Sequence, residues 1–159
     1  MRWTVLDSPI GDFSVGIEGD SVCGTQFAAA AGAPREPVDE VSRRAVAELR
    51  AYFAGESTEF GVPVRAPRGS EFERAVWREM TLIPYGETLT YGEVARRLGD
   101  PGAARAVGVA CNRNPIPVIV PCHRIIGAGG KLVGFGGGLD RKIKLLELEA
   151  RVALQRAWS

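Results

Sequence analysis

The chain has 159 residues, 45% of them hydrophobic and 25% charged, with a formal net charge of +1. That length suits one ordinary domain or two small ones, and the balance is that of a soluble globular protein. No apolar run approaches the roughly 18 residues that a membrane span needs, and no basic-then-apolar leader opens the chain, so neither a span nor a secretory signal is expected.

Residues 2 to 27 alternate as strands do. Trp3 and Val5 lead into a Pro9-Ile10-Gly11 turn, Phe13, Val15 and Ile17 share one face, and Gly19-Asp20 turns the chain again into Val22 to Phe27. This predicts a three-stranded antiparallel meander. Ala28 to Pro37 is a loop of small residues. From about Val38 to Phe53, the apolar positions Val38, Val41, Ala45, Leu49 and Tyr52 recur at helical spacing, and Gly55 stops the run. A sheet with one apolar face needs a cover, which this helix is expected to supply. No catalytic constellation falls in this half, which reads as a small α+β domain supporting its neighbour.

Gly61 to Gly69, with Pro63 and Pro67 and little periodicity, reads as a connection. The domains are placed at residues 1–65 and 71–159, with a linker at 66–70. Ser70 to Glu73 has the form of a capping box and opens a helix with Phe72, Val76 and Met80 on its buried stripe, ended by Ile83-Pro84-Tyr85-Gly86. Thr90 to Glu93 is a second capping box, starting a short helix through Leu98 with Gly99 as its stop. Asp100-Pro101 is expected to cap and begin another helix, from Gly102 to about Asn112. Two short helices joined by a tight glycine-containing turn make a helix-turn-helix.

The second of these helices is unusual in composition. Gly102, Ala103, Ala104, Ala106, Gly108 and Ala110 leave one face nearly bare, with Arg105 standing out of it. A major-groove reading helix would carry Arg, Asn or Gln for base edges. Small residues suit either close, sequence-independent apposition to a sugar-phosphate wall in the minor groove or tight packing against the neighbouring helix. Charge leans the same way: up to Ser70 there are seven basic against ten acidic residues, and from Glu71 onward thirteen against nine. A mildly basic second half permits nucleic-acid binding without proving it.

Asn114 to Ile126 holds the chain's only histidine, His123, directly after Cys122. A thiol is a modest nucleophile at its free pKa of roughly 8.5, and an imidazole that takes its proton is the simplest remedy. A lone Cys-His pair is more often core plus surface, but Pro115, Pro117 and Pro121 each fix φ and remove an amide donor. They describe a rigid strap presenting Cys122 at a set place. Beyond it, Ile125-Ile126, a glycine turn and Lys131 to Val133 suggest a short hairpin, a wing beside the helices. Gly134 to Gly138 lacks the Gly-Lys-Ser/Thr of a nucleotide loop and reads either as a flexible turn or as a wall approached closely by a flat base. Leu139 to Ala153 is expected to form a last helix with Ile143, Leu146 and Ala150 inward. The odd, scattered cysteines Cys23, Cys111 and Cys122 form no disulfide framework and, with one histidine, no zinc spacing. A reducing, cytoplasmic setting and no metal are expected.

Pro121-Cys122-His123-Arg124, with Asn114-Pro115 before it and Gly134-Phe135-Gly136-Gly137-Gly138 after it, resembles the O6-alkylguanine-DNA alkyltransferase family. The likeness runs from about Phe72 to Glu149 and more weakly through the first 65 residues. It implies an α+β chain with a ribonuclease H-like N-terminal domain, a three-stranded sheet plus helix, and a C-terminal winged helix-turn-helix domain carrying the active cysteine.

For the residues, the resemblance implies that Cys122 takes the alkyl group of an O6-alkylguanine from duplex DNA after the base is flipped out. One bridging water would carry the thiol proton to His123, which Glu149 would orient. Tyr91 would donate its hydroxyl to the leaving base and Asn114 would hold the strap and its turn. Main-chain groups of Cys122 and Ile125, with the Gly136 amide and Phe135, would bind the flipped base. Arg105 would fill the gap in the duplex, with Ala103, Ala104, Ala106 and Gly108 along the groove. Phe135 stands where the family commonly has tyrosine, so stacking survives without a hydroxyl. Cys111-Asn112-Arg113 also departs from the usual pattern, and Arg113 could add a phosphate contact. The thioether would be permanent, so one molecule makes one repair, with no cofactor and as a monomer. Activity on O4-alkylthymine and cooperativity along DNA stay open. Three other readings compete: a lesion sensor of the same fold, which would lack the cysteine; a winged-helix transcription regulator, indifferent to it; and a Cys-His hydrolase, which would turn over an ester or amide.

Overall fold

Three strands, β1 (Arg2–Leu6), β2 (Phe13–Glu18) and β3 (Ser21–Gln26), pair antiparallel in sequence order. Leu6 lies opposite Phe13 and Thr4 opposite Val15, a register that sends Phe13, Val15 and Ile17 to one buried face. Glycine shapes the other face: a Cβ on Gly16 would sit 3.0 Å from the Trp3 ring and one on Gly24 3.1 Å from it, so the indole rests where side chains are missing. Helix α1 (Glu40–Phe53) covers the sheet with Ala45, Val46, Leu49, Tyr52 and Phe53, and Phe53 meets Phe13 edge-on at 5.6 Å.

This helix starts later than its apolar spacing suggested. Asp39 is the cap, accepting the Ser42 amide at 2.8 Å, and Val38 lies ahead of it, exposed. The stop is at Gly55, whose φ of +76° lets its amide reach Tyr52 O and that of Glu56 reach Ala51 O.

The chain divides into two units, Met1–Pro67 with Pro115–Ile119, and Arg68–Asn114 with Val120–Ser159; the described residues are 1–159 of a computed structural model. The proline strap thus joins the first unit, where the Thr25 amide and hydroxyl donate to Pro115 O at 3.1 Å and Pro117 O at 2.8 Å. It makes a tight turn rather than an extended run. Buried Val118 sits at its tip with φ +77°, left-handed backbone that a β-branched residue adopts at a cost of about 1–3 kcal/mol.

In the second unit, α2 (Glu71–Thr81) opens with both halves of its capping box formed: Glu73 N donates to Ser70 Oγ and Ser70 N to Glu73 Oε1. Ser70→Ala is expected to lower unfolding stability by about 1 kcal/mol, read as a shifted urea midpoint with an unchanged slope. The Thr90 box opens α3 (Tyr91–Arg97) in the same way, and Gly99 ends it at φ +79°. Asp100, by contrast, caps nothing with its side chain. Pro101–Ala103 is a 3-10 turn, and α4 begins only at Ala104, running to Asn112. Helices α3 and α4 pack together as the expected helix-turn-helix, and Trp77 of α2 anchors α4 through Nε1–H to Ala110 O at 2.9 Å.

Two expectations fail here. The wing hairpin is absent: β5 (Ile125–Ile126) pairs in parallel with β4 (Leu89–Thr90), and Lys131 to Val133 form no strand. Glycines explain this, because Gly129 and Gly130, both at positive φ, curl the chain into a short turn closed by Gly127 N to Lys131 O at 2.7 Å. The last helix, α5 (Leu139–Ala157), is longer than predicted and turned by about one residue. Its buried stripe is Lys142, Leu145, Leu148, Glu149 and Val152, while Ala150 faces solvent. Two of those five are charged, which misled a pattern built on apolar spacing.

A candidate active site around Cys122

The strap ends at Pro121, and Cys122–Arg124 forms a single 3-10 turn in which all three side chains are buried. The turn splits neighbours that a strand would set on opposite faces. Cys122 keeps 8% of its surface exposed and His123 none. The Asn114 side chain hydrogen-bonds the Cys122 thiol and also donates through Nδ2 to Val120 O at 2.8 Å, tying the two ends of the strap to the sulfur.

His123 Nε2 lies 2.8 Å from Glu149 Oε2, both side chains wholly out of solvent. Arg124 reaches the same carboxylate in a two-pronged grip, Nε to Oε1 at 2.8 Å and Nη2 to Oε2 at 3.0 Å. Its third nitrogen donates to Ile83 O at 2.8 Å, and its guanidinium carbon lies 5.5 Å from the centre of the Tyr85 ring. Gly86 N adds a donor to Oε1 at 3.3 Å. Burial raises the Glu149 carboxyl, but the His123 and Arg124 bonds outweigh it and hold the group well below the ordinary carboxylate range. Glu149 is therefore an anion that can only accept, so His123 Nε2 must carry a hydrogen. Nδ1 of the same ring is buried and meets no polar protein atom within hydrogen-bonding distance.

Burial pushes the Cys122 thiol up to about 11 despite the Asn114 bond and the nearby Lys142 charge, which act the other way. Burial also lowers His123 below its ordinary value, against the pull of Glu149. The resting pair is thus a thiol and a neutral imidazole. In such a pair, moving the proton from sulfur to the ring is uphill at rest.

Tyr91 Oη donates to Val133 O at 3.2 Å, and burial raises its pKa, keeping it a donor. Its ring faces Gly108 of α4, where a Cβ would lie 3.8 Å away, and a Cβ on Gly134 would lie 3.6 Å from its hydroxyl. Gly134 and Gly138 have positive φ, whereas a Cβ at Gly136 would meet nothing, so the backbone itself demands glycine at the first two only. Ile125 is buried and Phe135 half-buried. On α4, Arg105 and Ala106 are exposed and Ala104 and Gly108 half-buried, as is Ala103 in the 3-10 turn before it, and no carboxylate interrupts the helix. Arg113 points elsewhere, pairing with Glu73 at 3.4 Å beside a recess of about 230 Å³ lined also by Arg68, Gly69 and Trp77.

Sequence reasoning passed over two residues. Arg124 stands in the sequence only as the end of the Pro121–Arg124 motif. Lys142 is fully buried, and its ammonium donates to Ile125 O at 2.6 Å and Val133 O at 3.2 Å, 6.0 Å from the Phe135 ring centre. It fastens the segment after the cysteine to α5. The signal was present: Lys142 and Glu149 are seven residues apart, two turns of one helix face.

A helix-turn-helix unit with a buried cysteine next to a histidine–carboxylate pair defines the class: a scaffold of the DNA-binding type carrying a buried thiol. Family profiles narrow it. The 6-O-methylguanine DNA methyltransferase DNA-binding domain matches residues 71–151 and the ribonuclease-like domain of the same proteins matches residues 1–66. The methylated-DNA–protein-cysteine methyltransferase of Mycobacterium leprae is 48% identical over 153 residues, covering 94% of this chain and 92% of its own. Its counterpart from Mycolicibacterium paratuberculosis is 64% identical over 107 residues, 67% of this chain and 64% of its own. Among solved structures, Mycobacterium tuberculosis OGT in complex with DNA superposes with a TM-score of 0.86 at 46% identity, covering 96% of this chain and 94% of that one. The chain belongs to the 6-O-methylguanine DNA methyltransferase family.

Proposed function

We propose that this protein repairs DNA by direct reversal, moving the alkyl group of an O6-alkylguanine to Cys122 once per molecule. The observation that carries the reading is the burial of Cys122 beside a His123–Glu149 pair whose free ring nitrogen is Nδ1. Arg105, exposed on a helix face of small residues without carboxylates, fills the stack when the lesion base swings out, a step costing a few kcal/mol. Ala103, Ala104, Ala106 and Gly108 let that helix lie close to the backbone, and Arg113 gives up the weak surface pairing with Glu73 for a phosphate.

The flipped base enters beside Tyr91, Phe135 and Gly136, and main-chain groups of Cys122 and Ile125 read its edge. Sulfur attacks the alkyl carbon as the carbon–O6 bond breaks, and the electron pair leaves on guanine, steadied by the Tyr91 hydroxyl. The thiol proton passes through one water to His123 Nδ1, and Glu149 stabilises the imidazolium. The thioether has no group that water can displace, so the molecule is spent. Three unpaired buried cysteines fit a reducing compartment, and the cytoplasm is the setting we assign.

Incubation with a duplex carrying O6-methylguanine should add one methyl per molecule, on the Cys122 peptide, seen in the intact mass. Cys122→Ala should gain nothing yet still bind the duplex. Lesion binding with no mass gain in the unmodified protein would make it a sensor; sequence-specific binding indifferent to Cys122 would make it a regulator.

A further inference from the structure

Arg124 meets Glu149 with more than a typical stabilising contact. All four acceptor positions of the carboxylate are engaged: Oε1 by Arg124 Nε and Gly86 N, Oε2 by Arg124 Nη2 and His123 Nε2. The guanidinium is clamped from its other edge by Ile83 O and faced by Tyr85. It is buried, planar and permanently charged. The Glu149 charge is thereby matched before the histidine is considered.

This matters for the base. A buried carboxylate with only an imidazole beside it would leave a bare negative charge whenever the ring is neutral, and low dielectric makes that state costly. The ring would then hold a second proton at rest and could not accept the one on sulfur. With Arg124 in place the resting cluster of thiol, neutral ring, carboxylate and guanidinium sums to zero. After transfer, thiolate, imidazolium, carboxylate and guanidinium again sum to zero. We propose that Arg124 is a positioning residue that claims the Glu149 charge, so that the His123 ring rests neutral with its Nδ1 lone pair free for the Cys122 proton.

From α5, Glu149 and Lys142 face His123; from its own turn, Arg124 and Cys122 do. Tyr85, which precedes β4, faces the Arg124 guanidinium, and Arg151 and Arg156, farther along α5, add positive charge near that ring. Lys142 also opposes an imidazolium, but its ammonium is held by Ile125 O and Val133 O. The inference rests on the alkyl-transfer reading only for the purpose of the proton. The charge arrangement stands by itself.

The single histidine makes the test direct, since protein labelled with ¹⁵N-histidine reports one ring. In the unmodified protein at neutral pH the ring should be neutral, with hydrogen on Nε2 and not on Nδ1. Arg124→Met should turn it into an imidazolium at the same pH and move the acid limb of the transfer rate upward by about one pH unit or more. Arg124→Lys, which keeps the charge and loses the two-pronged grip, should slow transfer while the ring stays neutral. An imidazolium in the unmodified protein, a neutral ring in folded Arg124→Met, or an imidazolium in Arg124→Lys would each overturn the proposal. If Arg124→Met does not fold, the other two proteins still decide it. Absence of any methyl gain in the unmodified protein would strike the function and leave the ring measurement readable.

Discussion

Glu149→Ala is expected to remove about 3–5 kcal/mol of folding stability, the largest loss from any single polar substitution in this chain. The carboxylate is the only group that satisfies the Arg124 Nε, and it shares Nη2 and His123 Nε2 at 2.8 to 3.0 Å in a wholly buried place. Its loss strands a guanidinium inside the protein, where no water repairs the damage. Urea unfolding at neutral pH measures this. The pH dependence gives a second check with a definite sign. Glu149 has a folded pKa far below its ordinary 4.5, so its contribution is fully present above that value and is lost as acid carries the pH down toward the folded one. His123 is also depressed, by burial, from 6.5; the unfolded chain takes up a proton there first, so stability falls with acidification from that point too. The unmodified protein should therefore weaken in two stages, near 6.5 and again below 4.5. In the alanine variant the second stage should shrink. A variant within about 1 kcal/mol of the unmodified protein would show that the cluster relaxes around the gap.

The features that sequence revealed and those it hid separate by the range of the interactions involved. Both capping boxes form as written because Ser70 and Thr90 each interact with a residue three positions on. The meander follows from alternation and turn glycines, and the thiol–imidazole pair from a motif of adjacent residues. Hidden features depend on distant partners. Lys142 and Glu149 look like surface positions on a charged helix until Ile125 O, Val133 O and Arg124 are brought against them. Apolar spacing alone therefore points to Ile143, Leu146 and Ala150, one residue out of phase with the buried stripe of the helix. The wing failed for a related reason: glycine spacing suggested a hairpin turn, but Ile125 found Leu89, 36 residues earlier, as its strand partner. Val118, with its left-handed backbone, had no signature at all, since any pattern of preferences would have put glycine or asparagine there.

His123→Gln should slow alkyl transfer by about 10²–10⁴-fold, the usual worth of a positioned general base, and should also change the shape of the pH profile. With the imidazole in place the rate needs only a neutral ring. Because burial depresses that ring below 6.5, the unmodified protein should react at a constant rate from neutral pH upward and lose rate only in acid. Without it, the proton must go to bulk solvent, and the thiol that gives it up is pushed by burial to about 11. The thiolate fraction then grows about tenfold with each pH unit below that value. Single-turnover transfer by the glutamine variant should accordingly climb about tenfold per unit across the mildly alkaline range, approaching the flat unmodified curve from below. Glutamine keeps an amide hydrogen to offer Glu149, so the cluster should stay folded and the comparison should report chemistry. A flat profile in the variant would mean that the thiol is already ionised at rest. The charge balance drawn around Arg124 would then have to include a standing thiolate, and His123 would serve as its counter-ion rather than as its base.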